Sequence, residues 1–377
     1  MLDPPNFVYS PRSLAIIFDF FYPPVEPRRL FVPSSLRTAR IRMQYFINRQ
    51  NLSRFLLKVL SARSLFALKE KSADYEWAKF STDTVEHVVT GRYRAAIPPK
   101  MFFFPPSEVL DSPEPFPSAV LGVKSCDIRL LHTSDGIFLG GSAEDDFYKR
   151  KRADTLLISA DCTDCKDTCF CVKMGLNPWP EKNFDINLSP IAEGFVVECG
   201  SNIGEDLVRQ SPNLFQKAID QQTREKEKNR RAVAEKVAAQ NSRFDWREPS
   251  EIVAASENST LWKDGSISKT CVECDGCRWV CGSCYCFLLG ETQGFWDKTR
   301  TWDSCQSAGY ARVAGGSNPR REKYQRLRNY YMCKLVYRPK NFGLLACSGC
   351  GRCIEVCPGK IDIRESLQKL SGAIPRK

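Results

Sequence analysis

Histidine is nearly absent from this 377-residue chain, which has His87 and His132 against 55 Lys and Arg and 44 Asp and Glu. That excludes sites built on several imidazoles, and each lone histidine fits a structural role better than proton transfer. GxGxxG, P-loop, HExxH and GxSxG motifs are missing, so neither a phosphate cradle nor a familiar hydrolytic site is expected. Long apolar runs are missing too. Residues 14–22 are interrupted by Asp19 and fall short of the roughly 20 residues of a membrane helix. The opening Asp3, Pro4 and Pro5 does not resemble a secretory signal, so a cytoplasmic location is expected. Cysteine is absent before Cys126.

After that point cysteine dominates. Of 18 in total, six lie from Cys126 to Cys199 and twelve from Cys271 to Cys357. A large core in a reducing compartment needs no disulfide staples, so metal ligation is the expected use, in two regions. With 42% hydrophobic and 26% charged residues the chain can bury a core and form two or more compact units.

Residues 1–45, rich in proline, arginine and scattered aromatics, read as an extension that wraps a neighbour or is poorly ordered. From 46 to 71, Leu52, Phe55, Leu56, Val59, Leu60, Leu65 and Leu68 recur at helical steps, which predicts one core-packing amphipathic helix. Apolar runs at 119–123, 155–160 and 195–199 predict buried strands near cysteines. Residues 217–240 mix charges of both signs, as in a solvated helix bridging the two cysteine regions. From 311 to 340, nine Lys and Arg face only Glu322, so something negative is expected nearby. The expected fold class is α+β: an α/β unit with one cluster site over 46–204, a helical connection over 205–264, and a ferredoxin-like dicluster domain over 265–377 carrying that basic insertion.

Cys271, Cys274, Cys277 and Cys281 follow CxxCxxCxxxC, and Cys347, Cys350, Cys353 and Cys357 repeat it with Pro358 after the last. Three thiolates on a tight loop reach three irons of a cubane, and the fourth cysteine of each run ligates the other cluster in two-cluster ferredoxins. The predicted sets are Cys271, Cys274, Cys277 with Cys357, and Cys347, Cys350, Cys353 with Cys281. Zinc, which favours two separated CxxC pairs, fits this spacing poorly. Gly276, Gly349 and Gly351 let the backbone approach a cluster. A third cluster is predicted on Cys126, Cys162, Cys169 and Cys171, leaving Cys165 spare, with a zinc knuckle or packed thiols as the alternative. Cys284, Cys286 and Cys305 read as alternative ligands, neighbours of a cluster, or a dithiol. Cys199 and Cys333 read as buried or unused thiols.

From about residue 46 the chain resembles the beta-subunit family of cytosolic sulfhydrogenases and the A subunit of anaerobic sulfite reductase. The matching segments are Gly122-Val123-Lys124-Ser125-Cys126-Asp127, Phe138-Leu139-Gly140-Gly141, the run ending Cys169-Phe170-Cys171, both CxxCxxCxxxC runs, Trp302-Asp303-Ser304-Cys305 and Gly315-Gly316-Ser317-Asn318-Pro319-Arg320. Cys281-Gly282 departs from the family's usual Cys-Pro, Ser317 from its histidine, and Cys333 from the histidine before lysine. The resemblance implies an electron-transfer subunit with three [4Fe-4S] clusters and no catalytic residues. It would work beside a flavin- and nicotinamide-binding subunit and a catalytic reductase or hydrogenase subunit.

Three clusters with their thiolates, at roughly −2 each, would bring the formal charge of +11 to about +5. Trp279, Tyr285 and Phe287 beside the first run, and Phe170 beside the earlier one, are expected to shield clusters. Two other readings are a cluster-linked thiol or disulfide reductase using Cys284, Cys286 or Cys305, and a zinc-dependent nucleic-acid-binding protein. The latter would use Tyr324, Tyr330, Tyr331 and Tyr337 among the basic residues.

Overall fold

The computed structural model describes residues 43–110, 117–141, 143–291 and 297–373. The expected N-terminal extension lies outside these residues except at its end, where Gln44 and Tyr45 already belong to a strand.

The N-terminal part is built on nine strands: β1 (Gln44–Asn48), β2 (Ser64–Lys71), β3 (Asp74–Phe80), β4 (Ser107–Val109), β5 (Ser118–Val123), β6 (Thr155–Ala160), β7 (Ile186–Ile191), β8 (Gly194–Cys199) and β9 (Gln216–Lys217). All but β4 form one eight-stranded sheet in the order β3-β2-β5-β6-β7-β8-β1-β9. Its centre, β2-β5-β6-β7, is parallel, and the flanking pairs are antiparallel. The apolar runs of β5 and β6 suit a parallel sheet covered on both faces, and all but the first residue of each is buried. These strands and β8 are where the sequence pattern placed them.

The predicted helix over 46–71 is a helix flanked by two strands. Asn48 caps α1 (Arg49–Leu60) by accepting the Asn51 N–H at 2.8 Å, and the helix buries Leu52, Phe55, Leu56 and Val59. Leu65 and Leu68 fit the helical spacing by coincidence. They lie in β2, whose backbone is taken up by ladders to β3 and β5; tertiary pairing overrides the local pattern.

After β5 the chain enters α2 (Ser125–Phe138). The charged segment forms α3 (Asp220–Gln240), which is not a solvated bridge. It packs on β7 and β8 and buries Lys226, Arg230, Val233 and Val237. Arg230 pairs with Asp161 at 2.7 Å and Glu198 at 2.5 Å, so part of its charge pattern is an internal ion-pair network.

The C-terminal part gathers Trp246, Trp262, Leu327, Tyr331, Leu335 and Leu367 into a second core. The basic segment supplies α4 (Lys323–Met332), which continues through a π-helical turn at Cys333–Tyr337. The chain closes on α5 (Ile363–Gly372). Between the cysteine runs, β10 (Phe287–Glu291) and β11 (Lys298–Trp302) form a hairpin that pairs with β4 of the N-terminal part. Among the described residues no helix is long and apolar enough to cross a membrane.

Candidate metal centres

The C-terminal ends of parallel strands form the natural crevice of an α/β sheet, and two cysteines stand there. Cys126 follows β5 in the first turn of α2, and Cys162 follows β6. Lys124, fully buried, ties these strand ends to a neighbouring loop by donating to the carbonyls of Thr90 (2.8 Å), Gly91 (2.7 Å) and Asp161 (3.0 Å). Cys126, Cys162, Cys165, Cys169 and Cys171 all line one cavity, together with Arg94 and Cys350. Cys165 also turns its thiol to Gln240 Oε1 at 3.4 Å. Arg94 is buried with Nη1 unpartnered among the described residues, as suits a cavity built for an anionic group.

Each ferredoxin-like run forms a loop followed by a single helical turn, Gly276–Trp279 and Arg352–Glu355, and the two turns pack together. One cavity is lined by Cys271, Cys274, Cys277 and Cys357. A second is lined by Cys281, Cys347, Cys350 and Cys353. Both quartets are the exchanged sets expected from the spacing. Cys353 lines the first cavity as well as the second, and Cys350 lines the second as well as the third. The cavities therefore form a continuous row.

Backbone contact joins the second and third cavities. The Phe170 N–H donates to Gly349 O at 2.8 Å. A Cβ on Gly349 would sit 2.6 Å from the Phe170 carbonyl, and one on Gly351 2.3 Å from the Thr168 carbonyl, at φ of +68° and +77°. Gly351→Ala is expected to cost more than about 1 kcal/mol, since it adds both a strained φ and a backbone clash. An unchanged urea midpoint under anaerobic conditions would contradict this.

The same junction carries a buried ion pair. Arg352, beside Cys353, grips Asp127, beside Cys126, through Nη1–Oδ1 at 2.5 Å and Nη2–Oδ2 at 3.0 Å, with both side chains 1% exposed. Arg94 adds a bond to Cys350 O at 2.6 Å and an ion pair to Glu355 at 2.5 Å.

Burial pushes the Cys162, Cys277 and Cys347 thiols up to about 12, and raises Cys126, Cys171 and Cys353 as well. Thiols in such places ionise when a metal replaces the proton. Polar hydrogens reach the sulfurs: Gln306 Nε2 to Cys277 Sγ at 3.1 Å, the Ile361 N–H to Cys357 Sγ at 3.4 Å, and Lys334 Nζ to Cys281 Sγ at 2.8 Å. The Cys281 thiol is held well below its ordinary range, first by the Cys284 thiol and, against the cost of burial, by Lys334. The Ser348 hydroxyl lines the second cavity without a partner among the described residues. Thiolates on one zinc, each about 2.3 Å from the metal, crowd a single point. Among the described residues no three His, Cys, Asp or Glu side chains do so. Thiols ringing cavities fit polynuclear clusters instead.

Lys334, with Nζ 2.8 Å from Cys281 Sγ, is a candidate functional residue the sequence pattern did not single out. Its ammonium stabilises negative charge added to the second centre, so Lys334→Gln is expected to move that centre's reduction potential to more negative values. An EPR-monitored redox titration checks this; an unchanged potential or a positive shift contradicts it.

One expectation is corrected, and one alternative reading loses support. Trp279, Tyr285 and Phe287 line none of the three cavities. Trp279 stacks on Trp302 at 5.8 Å, while Tyr285 and Phe287 pack with Phe104 and Phe138 against the N-terminal part. Phe170 does lie at a cavity, the second one. The basic segment also fails as a nucleic-acid face: Arg326, Lys334 and Arg338 are buried on Glu273, Cys281 and Ser283, and Tyr330 and Tyr331 are core residues. The negative partners expected near this segment are thus a carboxylate and cysteine sulfurs.

A family model described as a 4Fe-4S dicluster domain matches residues 270–361, and with the cavities above it defines an iron-sulfur protein of the electron-transfer class. Sulfhydrogenase 2 subunit beta of Pyrococcus furiosus is 30% identical to the chain over 285 residues, covering 71% of this chain and 81% of that protein. The chain belongs to the sulfhydrogenase subunit beta family.

Proposed function

We propose that the chain relays electrons through three [4Fe-4S] clusters in line, as one subunit of a hydrogenase- or reductase-type complex. The first cluster is assigned to Cys271, Cys274, Cys277 and Cys357, the second to Cys281, Cys347, Cys350 and Cys353, and the third to Cys126, Cys162, Cys169 and Cys171. The observation that carries this reading is the continuity of the row through Cys353 and Cys350. When bound, the clusters supply one-electron chemistry. The chain's own residues fix their spacing, place Lys334 and Gln306 against the sulfurs, and keep water out with Phe170, Tyr330 and Ile363.

Cys274 is exposed and Val272 is 64% exposed at the rim of the first cavity, which leaves that end open to a partner. The family supports a flavin- and nicotinamide-binding subunit at one end of the relay and a catalytic subunit at the other. Cysteines used for cluster ligation, not for disulfides, would suit a cytoplasmic complex. The test is anaerobic affinity purification of the complex from its native source. Flavin in fixed ratio to the chain, with NAD(P)H bleaching the cluster absorbance, is expected. A chain that purifies without flavin and is not reduced by NAD(P)H contradicts the partner assignment.

A further inference from the structure

Among the described residues, the buried side-chain nitrogens and oxygens without a partner are Nη1 of Arg94, Nε and Nη1 of Arg278, Nε of Arg320, Nη1 of Arg338 and the Ser348 hydroxyl. Arg278, Arg320 and Arg338 line none of the three cavities, whereas Ser348 lines the second and Arg94 the third. Arg94 is also the one Lys or Arg among the described residues lining the third cavity. It is 1% exposed.

The guanidinium is held from two sides. Nε donates to Cys350 O at 2.6 Å and Nη2 pairs with Glu355 Oε1 at 2.5 Å, which fixes the plane of the fork and leaves Nη1 for a further acceptor. The backbone that carries it is fixed as well. Arg92 O accepts the Thr163 and Asp164 N–H groups at 2.9 and 3.1 Å, Ala95 O accepts from Arg352 Nε at 2.8 Å, and the Ala96 N–H donates to Tyr75 O at 3.0 Å. Lys124 is the contrast. It is buried at the same strand ends, but its Nζ is spent on the carbonyls of Thr90, Gly91 and Asp161. Arg94 Nη1 has no such outlet, and Asp164, the one carboxylate among the described residues lining the cavity, is paired with Lys236 at 2.6 Å. A buried donor without an acceptor is costly; in a cavity ringed by thiols the acceptor that fits is sulfur.

We propose that Arg94 Nη1 donates to a sulfur of the third cluster, a sulfide or a ligand thiolate, and that this bond and the guanidinium charge raise the reduction potential of that centre. The proposal rests on the third ligand set above. Reduction adds one electron and transfers no atom. The cluster's charge goes from about −2 to about −3, and a fixed cation in a site with little water favours the more negative state. With Lys334 on Cys281 of the second centre, each of these two adjacent centres has a buried cation of its own.

The test is an EPR-monitored redox titration of the full anaerobically purified chain beside Arg94→Gln and Arg94→Lys, with iron measured on each sample. The signal absent from Cys162→Ser identifies the third centre. Arg94→Gln is expected to keep about twelve irons and to move the third centre to more negative potentials, further than it moves the second. Arg94→Lys, which keeps the charge but not the fork, moves it less. An unmoved third centre, a positive shift, or a larger shift at the second centre overturns the proposal. About eight irons in the unaltered chain overturns the third cluster itself, and the proposal with it. Should both Arg94 variants lose the third cluster, the unaltered chain grown with arginine carrying a nitrogen isotope label in its guanidinium decides. A hyperfine coupling from a guanidinium nitrogen on the third centre's signal supports the bond; a signal without one overturns it.

Discussion

Cys350→Ser is expected to fold, to lose one cluster's worth of iron, about four atoms per chain, and to interrupt the relay at its middle. Cys350 lines both the second and the third cavity, so no route through the row avoids its neighbourhood. In the complex, NAD(P)H would still reduce the cluster on the side of the flavin subunit, while the cluster beyond the gap stays oxidised. Cys199→Ser is the matched control. Its thiol is buried in the sheet core and lines none of the three cavities, so iron content should not change. Full iron in Cys350→Ser, measured with sulfide on the same sample, would remove this residue from the ligand set.

The second large effect is on stability. Arg352→Met would leave the Asp127 carboxylate, 1% exposed, buried without its partner, and breaking such a pair typically costs about 3–5 kcal/mol. The loss should be selective, because Asp127 adjoins Cys126 and α2 forms one wall of the third cavity. Iron from that site is expected to leave first in a denaturant titration, before the dicluster sites give way. Adding Asp127→Leu to Arg352→Met should recover much of the lost stability, because an apolar pair removes the stranded charge. A denaturation midpoint unchanged in the single variant would show that the two parts are not held together by this pair.

Both effects depend on contacts between residues far apart in the chain, and the sequence was silent on such contacts. The grouping of the two quartets around separate cavities was legible because the cysteines sit at fixed short spacings and the exchange of the fourth one is the pattern of two-cluster ferredoxins. The gathering of the earlier cysteines around one cavity was legible in outline, since apolar runs ending shortly before Cys126 and Cys162 mark strand ends where an α/β sheet opens. Arg352, Lys334 and Gln306 were not, because their partners are brought to them only by the fold: Lys334 is 53 residues from Cys281, and Arg352 is 225 from Asp127. Residues 46–71 misled for a local reason. A three-residue step between Leu65 and Leu68 suits a helix face, and only the ladders to β3 and β5 make it a strand. In α3 the charges that read as solvated include Arg230 and Lys226, which are buried because Asp161 and Glu198 wait inside.

The central claim, that the three cavities hold three clusters, is tested most directly by iron and acid-labile sulfide analysis of the anaerobically purified chain, with EPR of the dithionite-reduced protein. At least about twelve irons and as many sulfides per chain, with spin-coupled [4Fe-4S] signals, is the predicted result. About eight would contradict the third cluster on Cys126, Cys162, Cys169 and Cys171, and zinc without labile sulfide would contradict the relay altogether.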